Sequence, residues 1–261
     1  MPWAPRRISL STVANLRDVG GAPIAGGGAI RDGVIFRSTQ LASVSPADRE
    51  VLKELKLGLV VDLRTSFEIE LAPDVKVAGE YLWLDVLRDS VLASQASMDD
   101  IFTDPGKFAQ ILSDGTADAL MRQAYLDIVD LPSAREAYGR WLRDLAQMRV
   151  PALVHCTNGK DRTGWAVALA LLSVGVSQDD VMTDYLTTND QYLPALESVF
   201  AQVAENGLDP ALLQPVLGVR EEYLGTALER VRALGGLDSY LALIGIGDDD
   251  RQALADWLVG E

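Results

Sequence analysis

An α/β fold is what the sequence predicts: a small, mostly parallel central sheet flanked by helices, with a helical insertion and a helical C-terminal part. Three stretches carry that reading. Leu59-Val60-Val61-Asp62-Leu63-Arg64 is apolar, β-branched and continuous, the pattern of a strand buried on both faces. It follows Ser45-Pro46-Ala47-Asp48, a serine N-cap with proline at the first helical position. Ala152-Leu153-Val154 is a second short apolar run, and it leads through a loop into residues 165–174, rich in Ala, Leu and Val, which read as a buried helix.

In chain order, Asn15-Leu16-Arg17-Asp18-Val19-Gly20-Gly21 reads as a turn entering a glycine-rich loop at 22–30. Residues 34–37 form a strand. A helix runs from Ser45 to about Leu57, and Gly58 ends it. The strand at 59–64 puts Asp62 and Arg64 at its carboxyl end, where ligands of open α/β sheets gather. Residues 81–86 form a further strand. From Arg88 to Asp130, Ser, Asp and Gly alternate with apolar residues and Pro105-Gly106 breaks the run; helical periodicity appears at 102–112 and 117–128. Residues 88–130 are therefore expected to form a helical insertion over the sheet's carboxyl edge. A helix at 133–148 delivers the chain to the strand before the loop. Ser177 caps the helix after Gly175, with Asp180 approximating a capping box. That helix is expected to reach Leu186, and Thr187-Thr188-Asn189-Asp190 to break and recap it. Helices follow at 193–205, 220–234, 239–243 and 248–259. No repeat and no long linker divides the chain, so residues 1–261 are expected to form one domain.

Bulk composition narrows the chemistry. Of the 261 residues 48% are hydrophobic and 23% charged, enough for a sizeable core and against global disorder. The formal net charge of -15 makes nucleic acid a poor partner, since binding it needs a basic face. The same charge repels phosphorylated substrates at long range, so positive potential must be supplied locally. Cys156 is the single cysteine and His155 the single histidine. No internal disulfide can form, a Ser-His-Asp triad and a His-rich metal site are disfavoured, and neither metal nor cofactor is expected. Oxidation of a lone thiol should stop at sulfenic acid or an adduct. Residues 1–18 contain no continuous apolar run of the signal-peptide kind, so a cytoplasmic location is expected. The most apolar stretch, 165–176, is too short to span a bilayer, and no stable membrane insertion is expected.

The chemistry concentrates in His155-Cys156-Thr157-Asn158-Gly159-Lys160-Asp161-Arg162-Thr163-Gly164. A loop running into a helix N-terminus can aim successive backbone N–H groups at one spot and bind an anion there. A cysteine at the edge of such a nest ionises more easily. Arg162 adds a planar fork matched to phosphate oxygens, Gly159 permits backbone geometry closed to other residues, and Thr163 can offer a hydroxyl to the sulfur. Thr157, Asn158, Gly159, Lys160, Asp161 and Arg162 would line the cradle, with phosphate or sulfate as its natural ion. A thiolate beneath a bound phosphate is placed for in-line attack and a phosphocysteine intermediate. Alternation along the strand turns the His155 side chain away from that of Cys156, so it orients the loop rather than acting as a base.

Cys-x5-Arg in this full form resembles the bacterial protein tyrosine phosphatases that also act on phosphoinositides. The resemblance implies a cysteine-phosphatase fold and hydrolysis of phosphotyrosine in proteins, with phosphoserine, phosphothreonine and phosphoinositides as additions. A chiefly lipid phosphatase and a non-catalytic phosphate-binding module are the rivals. It further implies a lid made by the 88–130 insertion. Asn-x-Arg-Asp-x-Gly-Gly followed by Phe36-Arg37-Ser38 is typical of the family's N-terminal region, and Arg37 could line the site. The Tyr-Leu-x-x-Asn segment at 185–189 also matches. Two residues compete as the general acid. Asp161 lies inside the loop, where myotubularin-type lipid phosphatases carry an acid. Asp62 matches the family's Asp-Leu-Arg-Ser/Thr segment. Lys160 could read a second phosphate on an inositol ring.

Overall fold

The computed structural model describes residues 3–77, 79–90, 116–205, 207 and 209–260. At its centre is a six-stranded sheet in the order β1 (Arg6–Arg7), β2 (Arg17–Asp18), β4 (Ile35–Ser38), β7 (Ala152–His155), β5 (Leu59–Asp62), β6 (Glu80–Trp83). Strands β4, β7, β5 and β6 are parallel, and β2 and β1 extend the sheet antiparallel beyond β4. Register aligns the carboxyl ends: Ser38 and Asp62 both pair with His155, and Asp62 pairs with Trp83. The loops leaving these four strands therefore start side by side along one edge, where α/β sheets place their ligands. A second sheet pairs β3 (Ala29–Ile30) with β8 (Val259–Gly260).

Two apolar layers cover the sheet, sorted by the two-residue alternation of its strands. Phe36, Val60 and Leu153 face Leu52 of α1 (Pro46–Glu54), together with Val13, Leu16 and Leu41. Ile35, Leu59, Val61, Ala152 and Val154 face the larger layer. That layer holds Trp141 and Leu145 of α4 (Pro132–Met148), Trp165 to Leu171 of α5 (Asp161–Ser173) and Tyr223 and Leu224 of α9 (Glu221–Ala233). Helix α5 is apolar all round because it lies between sheet and outer helices. Among the described residues the remaining α-helices are α2 (Ser66–Leu71), α3 (Thr116–Asp130), α6 (Gln178–Tyr192), α7 (Glu197–Glu205), α8 (Gln214–Leu217), α10 (Leu237–Leu243) and α11 (Asp248–Leu258). Among the described residues no helix is long and apolar enough to cross a membrane.

Several boundaries differ from expectation, each for a local reason. Helix α1 stops at Glu54 with Lys56 in the left-handed region at φ 51, so Gly58 does not end it. Gly58 is required instead by a close approach, since a Cβ there would lie 2.5 Å from Val150 Cβ. The strands predicted at 59–64 and 81–86 end at Asp62 and Trp83, where the chain turns into the edge loops. The break predicted at 187–190 does not occur, and α6 runs on to Tyr192. Its polar side chains are satisfied without breaking it: Thr187 donates to the Thr183 carbonyl at 2.7 Å, and the Asn189 amide pairs both ways with the Val219 backbone at 2.9 and 2.8 Å. Helix α2 was not anticipated. The predicted helix at 102–112, and most of the lid expected over 88–130, lie outside the described residues; within that span α3 packs on α9 and reaches Asp161, the first residue of α5.

Candidate active site

Strand β7 ends at His155 and α5 begins at Asp161, ahead of the start predicted at 165, so Asp161, Arg162 and Thr163 form its first turn. The connecting carbonyls are tied down from outside. Thr157 O accepts the Gln40 amide at 3.0 Å, and Gly159 O accepts Asn15 Nδ2 at 2.8 Å and Arg37 Nη2 at 2.7 Å. Lys160 O accepts the Gly164 amide at 2.8 Å. Among the described residues, no amide from Thr157 to Thr163 finds an acceptor. Carbonyls held on one side leave the N–H groups converging on the other, the geometry of an anion nest at a helix N-terminus. Gly159 has φ 63, and a Cβ on it would lie 2.1 Å from Ser38 O, so both conformation and space demand glycine.

Cys156 lies at the floor of this loop, 2% exposed, within electrostatic reach of Arg162, Tyr138 and Tyr192. The anticipated Thr163–sulfur hydrogen bond is not made; Thr163 Oγ1 is buried without a partner among the described residues. Arg162 is gripped by a residue that sequence reasoning passed over. Its Nη1 and Nη2 each donate at 2.6 Å to one oxygen of Glu68, which also accepts the Thr157 hydroxyl. Arg162 Nε makes no hydrogen bond among the described residues. Burial pushes the Glu68 carboxyl up, but the Arg162 charge and the hydrogen bonds from Arg162 and Thr157 outweigh it and hold Glu68 well below the usual carboxylate range. Glu68 sits on α2, which opens with a Thr65/Glu68 capping box. Thr65-x-x-Glu68 was the signal that could have found both helix and residue.

Behind the loop lies a buried cluster. Asp184 accepts Arg17 Nε at 2.7 Å and Arg37 Nη1 at 2.5 Å, and Arg17 also reaches Thr188 Oγ1 at 3.1 Å and Asn15 Oδ1. Arg37 thus supports the loop from the rear rather than lining it. Two guanidinium groups against one carboxylate leave one positive charge behind the nest. A -15 chain thereby acquires local positive potential at this site. Burial raises the Asp184 carboxyl, but Arg17 and Arg37 overcome it and lower the pKa. Asp184→Asn is expected to cost about 3–5 kcal/mol in urea denaturation at neutral pH, because two buried cations lose their counter-ion. A lowered pKa means the stabilisation is present above the ordinary carboxylate value and is lost as pH falls through the lower folded value. The variant should therefore lose less stability than wild type on acidification, and an unchanged acid limb would contradict the assignment.

Lys160 does not stand at the mouth, where an inositol ring phosphate would be met. Its side chain is 4% exposed, with Nζ 2.9 Å from Asp161 Oδ2 and 3.2 Å from Gly218 O. Asp161 also accepts the Tyr125 hydroxyl of α3 at 2.8 Å, and Tyr125 meets Tyr185 at 2.6 Å. Asp62 and Arg64 sit together but in a closed, buried network. Arg64 Nη2 lies 2.7 Å from Asp62 and 3.0 Å from Asp74, Asp62 accepts the Tyr81 hydroxyl, and His155 Nε2 lies 3.0 Å from Asp74 Oδ2. Burial raises the Asp62 carboxyl, yet Arg64, the His155 charge and Tyr81 prevail and lower it. Asp62, Asp74 and His155 have ligand atoms within 4.8 Å of one another, but the Arg64 guanidinium already fills the space between the two carboxylates. His155, with Nδ1 3.2 Å from the Cys156 carbonyl oxygen, packs away from the nest as alternation requires.

Three named relatives align along nearly the whole chain. A Cupriavidus necator protein that carries the name tyrosine-protein phosphatase is 35% identical over 236 residues, 90% of this chain and 82% of its own length. The triple specificity protein phosphatase PtpB of Mycobacterium tuberculosis is 29% identical over 273 residues, 94% of this chain and 96% of its own. A tyrosine-protein phosphatase of Nostoc commune is 27% identical, covering 87% and 74% respectively. A chain that builds a cysteine-floored anion nest at this sheet edge, and that matches the family's sequence pattern from residue 8 to 260, belongs to the tyrosine phosphatase family.

Proposed function

We propose that the protein hydrolyses phosphotyrosine in proteins through a phosphocysteine formed on Cys156. The observation that carries this reading is the row of amides from Thr157 to Thr163, unpartnered among the described residues, beside a single thiol. Three non-bridging phosphoryl oxygens would take those N–H groups and Arg162, leaving phosphorus over the sulfur for in-line attack. Glu68 occupies the terminal edge of the Arg162 guanidinium, so the Nε–Nη2 edge remains for phosphate. Sulfur forms the bond to phosphorus as the ester oxygen leaves, and water then cleaves the phosphocysteine.

Phosphotyrosine is the leading substrate because the helix that carries Glu68, the partner of Arg162, also carries exposed apolar side chains. Phe67 and Leu71, on the helix that carries Glu68, are 60% and 72% exposed, and Trp83 stands at the end of β6. Such a rim suits an aryl ester better than a ring of hydroxyls. The mycobacterial relative, named as a triple specificity phosphatase, supports a broader range, with phosphoserine, phosphothreonine and phosphoinositides as the additions. The lipid reading is weaker while Lys160 is spent on Asp161 and Gly218. Rates on a phosphotyrosine peptide and on a soluble phosphoinositide decide the matter: the peptide should have the higher kcat/KM, and the reverse order would make the lipid the primary substrate.

Glu68→Gln separates orientation from binding. An amide cannot accept from both ends of the guanidinium, so Arg162 loses its fixed angle. kcat should fall about ten- to a hundredfold, while KM stays level or drops, because a negative charge near the substrate is gone. Unchanged kcat would show that Arg162 orients itself.

A further inference from the structure

Departure of a phenolate or alkoxide requires a proton donor on the side of phosphorus opposite the sulfur. Asp62, Glu68, Asp161 and Asp85 are carboxyls at this sheet edge. Asp62 is enclosed with Arg64, Asp74 and Tyr81. Glu68 chelates Arg162. Asp161 is already engaged, by the Lys160 ammonium at 2.9 Å and by the Tyr125 hydroxyl at 2.8 Å.

Asp85 differs from all three. It is the second residue after β6, and β6 is parallel to β5 and β7, so it leaves the sheet at the edge that carries the nest. Its loop is anchored: Val86 is fully buried, the Val86 carbonyl accepts Ser133 Oγ at 2.9 Å, and Leu84 N donates to Asp62 O at 2.9 Å. Asp85 itself is half-buried, with Oδ1 accepting the Leu87 amide at 3.1 Å, and its carboxylate lies within electrostatic reach of both Arg162 and Glu68. Among the described residues its carboxylate has no ion-pair partner.

We propose that Asp85, on the loop after the edge strand, is the catalytic residue that protonates the leaving oxygen; this rests on the phosphocysteine reading above. In the first step the Cys156 sulfur bonds to phosphorus, the phosphorus–oxygen ester bond breaks, and the Asp85 carboxyl proton passes to the departing oxygen. In the second, the Asp85 carboxylate takes a proton from the attacking water, the new phosphorus–oxygen bond forms, and the phosphorus–sulfur bond breaks to restore the thiolate. Burial raises the Asp85 pKa, against hydrogen bonds from the Leu87 and Ser66 amides and the charge of Arg162, with Glu68 adding to the rise. The charged groups facing it are Arg162 on α5 and Glu68 on α2, while Arg88 and Asp89 of its own loop turn to Glu136 and Ser133 on α4.

The test compares leaving groups within each variant, so that any unfolded fraction cancels. Asp85→Asn should lower kcat on a phosphotyrosine peptide about a hundred- to a thousandfold, yet lower it less than about tenfold on 2,4-dinitrophenyl phosphate, whose phenolate leaves unaided. The alkaline limb of its pH–rate profile should flatten. Asp161→Asn should show no such dependence on the leaving group. Equal losses on both substrates, or the leaving-group pattern in Asp161→Asn instead, would overturn the assignment. Acid quenching of Asp85→Asn during dinitrophenyl phosphate turnover tests the underlying reading separately: a trapped phosphoenzyme keeps Cys156 as nucleophile even if Asp85 is not the acid.

Discussion

Cys156→Ser should abolish turnover and leave oxyanion binding nearly intact. The thiol is the floor of the nest, but the nest is made of backbone, and the carbonyls that orient it are held by Asn15, Arg37 and Gln40. None of those bonds involves the sulfur, so replacing one small side chain by another leaves the cradle standing. Chemistry is another matter. A serine hydroxyl in this setting is not ionised, and no base is aimed at it: His155, the sole histidine, points to Asp74 on the far side of the strand. The expected loss is about ten-thousandfold or more in kcat, which corresponds to about 5.4 kcal/mol of transition-state stabilisation. Tungstate or phosphate should bind the variant within about threefold of wild type by calorimetry, since the amides and Arg162 supply the affinity. Turnover within tenfold of wild type would end the covalent mechanism. Full loss of anion binding would instead mean that the sulfur holds the loop together.

Where the sequence was legible, the information was local. The strand at 59–62, the strand before the loop and the helix after it are each announced by continuous apolar runs, because the sheet is covered on both faces and α5 is buried all round. The nest was legible because Cys156, Gly159 and Arg162 lie within one turn of chain. What escaped depends on residues distant in sequence. Asp184 is drawn into the site by Arg17 and Arg37, and nothing near position 184 marks it as other than a surface aspartate on a helix. Thr188 and Asn189 resemble helix breakers until Arg17 and Val219 arrive to occupy them. Lys160 read as a ligand for a second phosphate because its neighbours in the loop bind the first; Gly218, far along the chain, supplies a carbonyl that its ammonium meets instead. Asp62 and Arg64 read as a site pair from their place at a strand end, yet in space they satisfy each other along with Asp74. Glu68 is the exception, since its capping box with Thr65 was present in the local sequence.

Arg162→Lys should cost about two to three orders of magnitude in kcat, less than losing the nucleophile, and the reason lies in how the guanidinium is divided. One planar group serves two anions at once. Nη1 and Nη2 are fixed by the two oxygens of Glu68 at 2.6 Å, and the Nε–Nη2 edge is left for the phosphoryl oxygens. An ammonium has no second edge: it can pair with Glu68 or turn to phosphate, but cannot hold a fixed angle to both. Glu68, ionised far below the ordinary carboxylate range by that arginine, would remain an anion and compete with substrate for the single charge. The expected fall in kcat is about a hundred- to a thousandfold, the scale of removing a preorganised donor from developing charge, with KM raised. Combining the substitution with Glu68→Gln decides whether competition contributes. If the lysine is captured by Glu68, the double variant should recover part of the lost kcat/KM, at least about threefold over Arg162→Lys alone, because coupled neighbours are not additive. If instead the two losses add, Glu68 acts on phosphate binding independently of Arg162, and the shared-guanidinium account of this site is wrong.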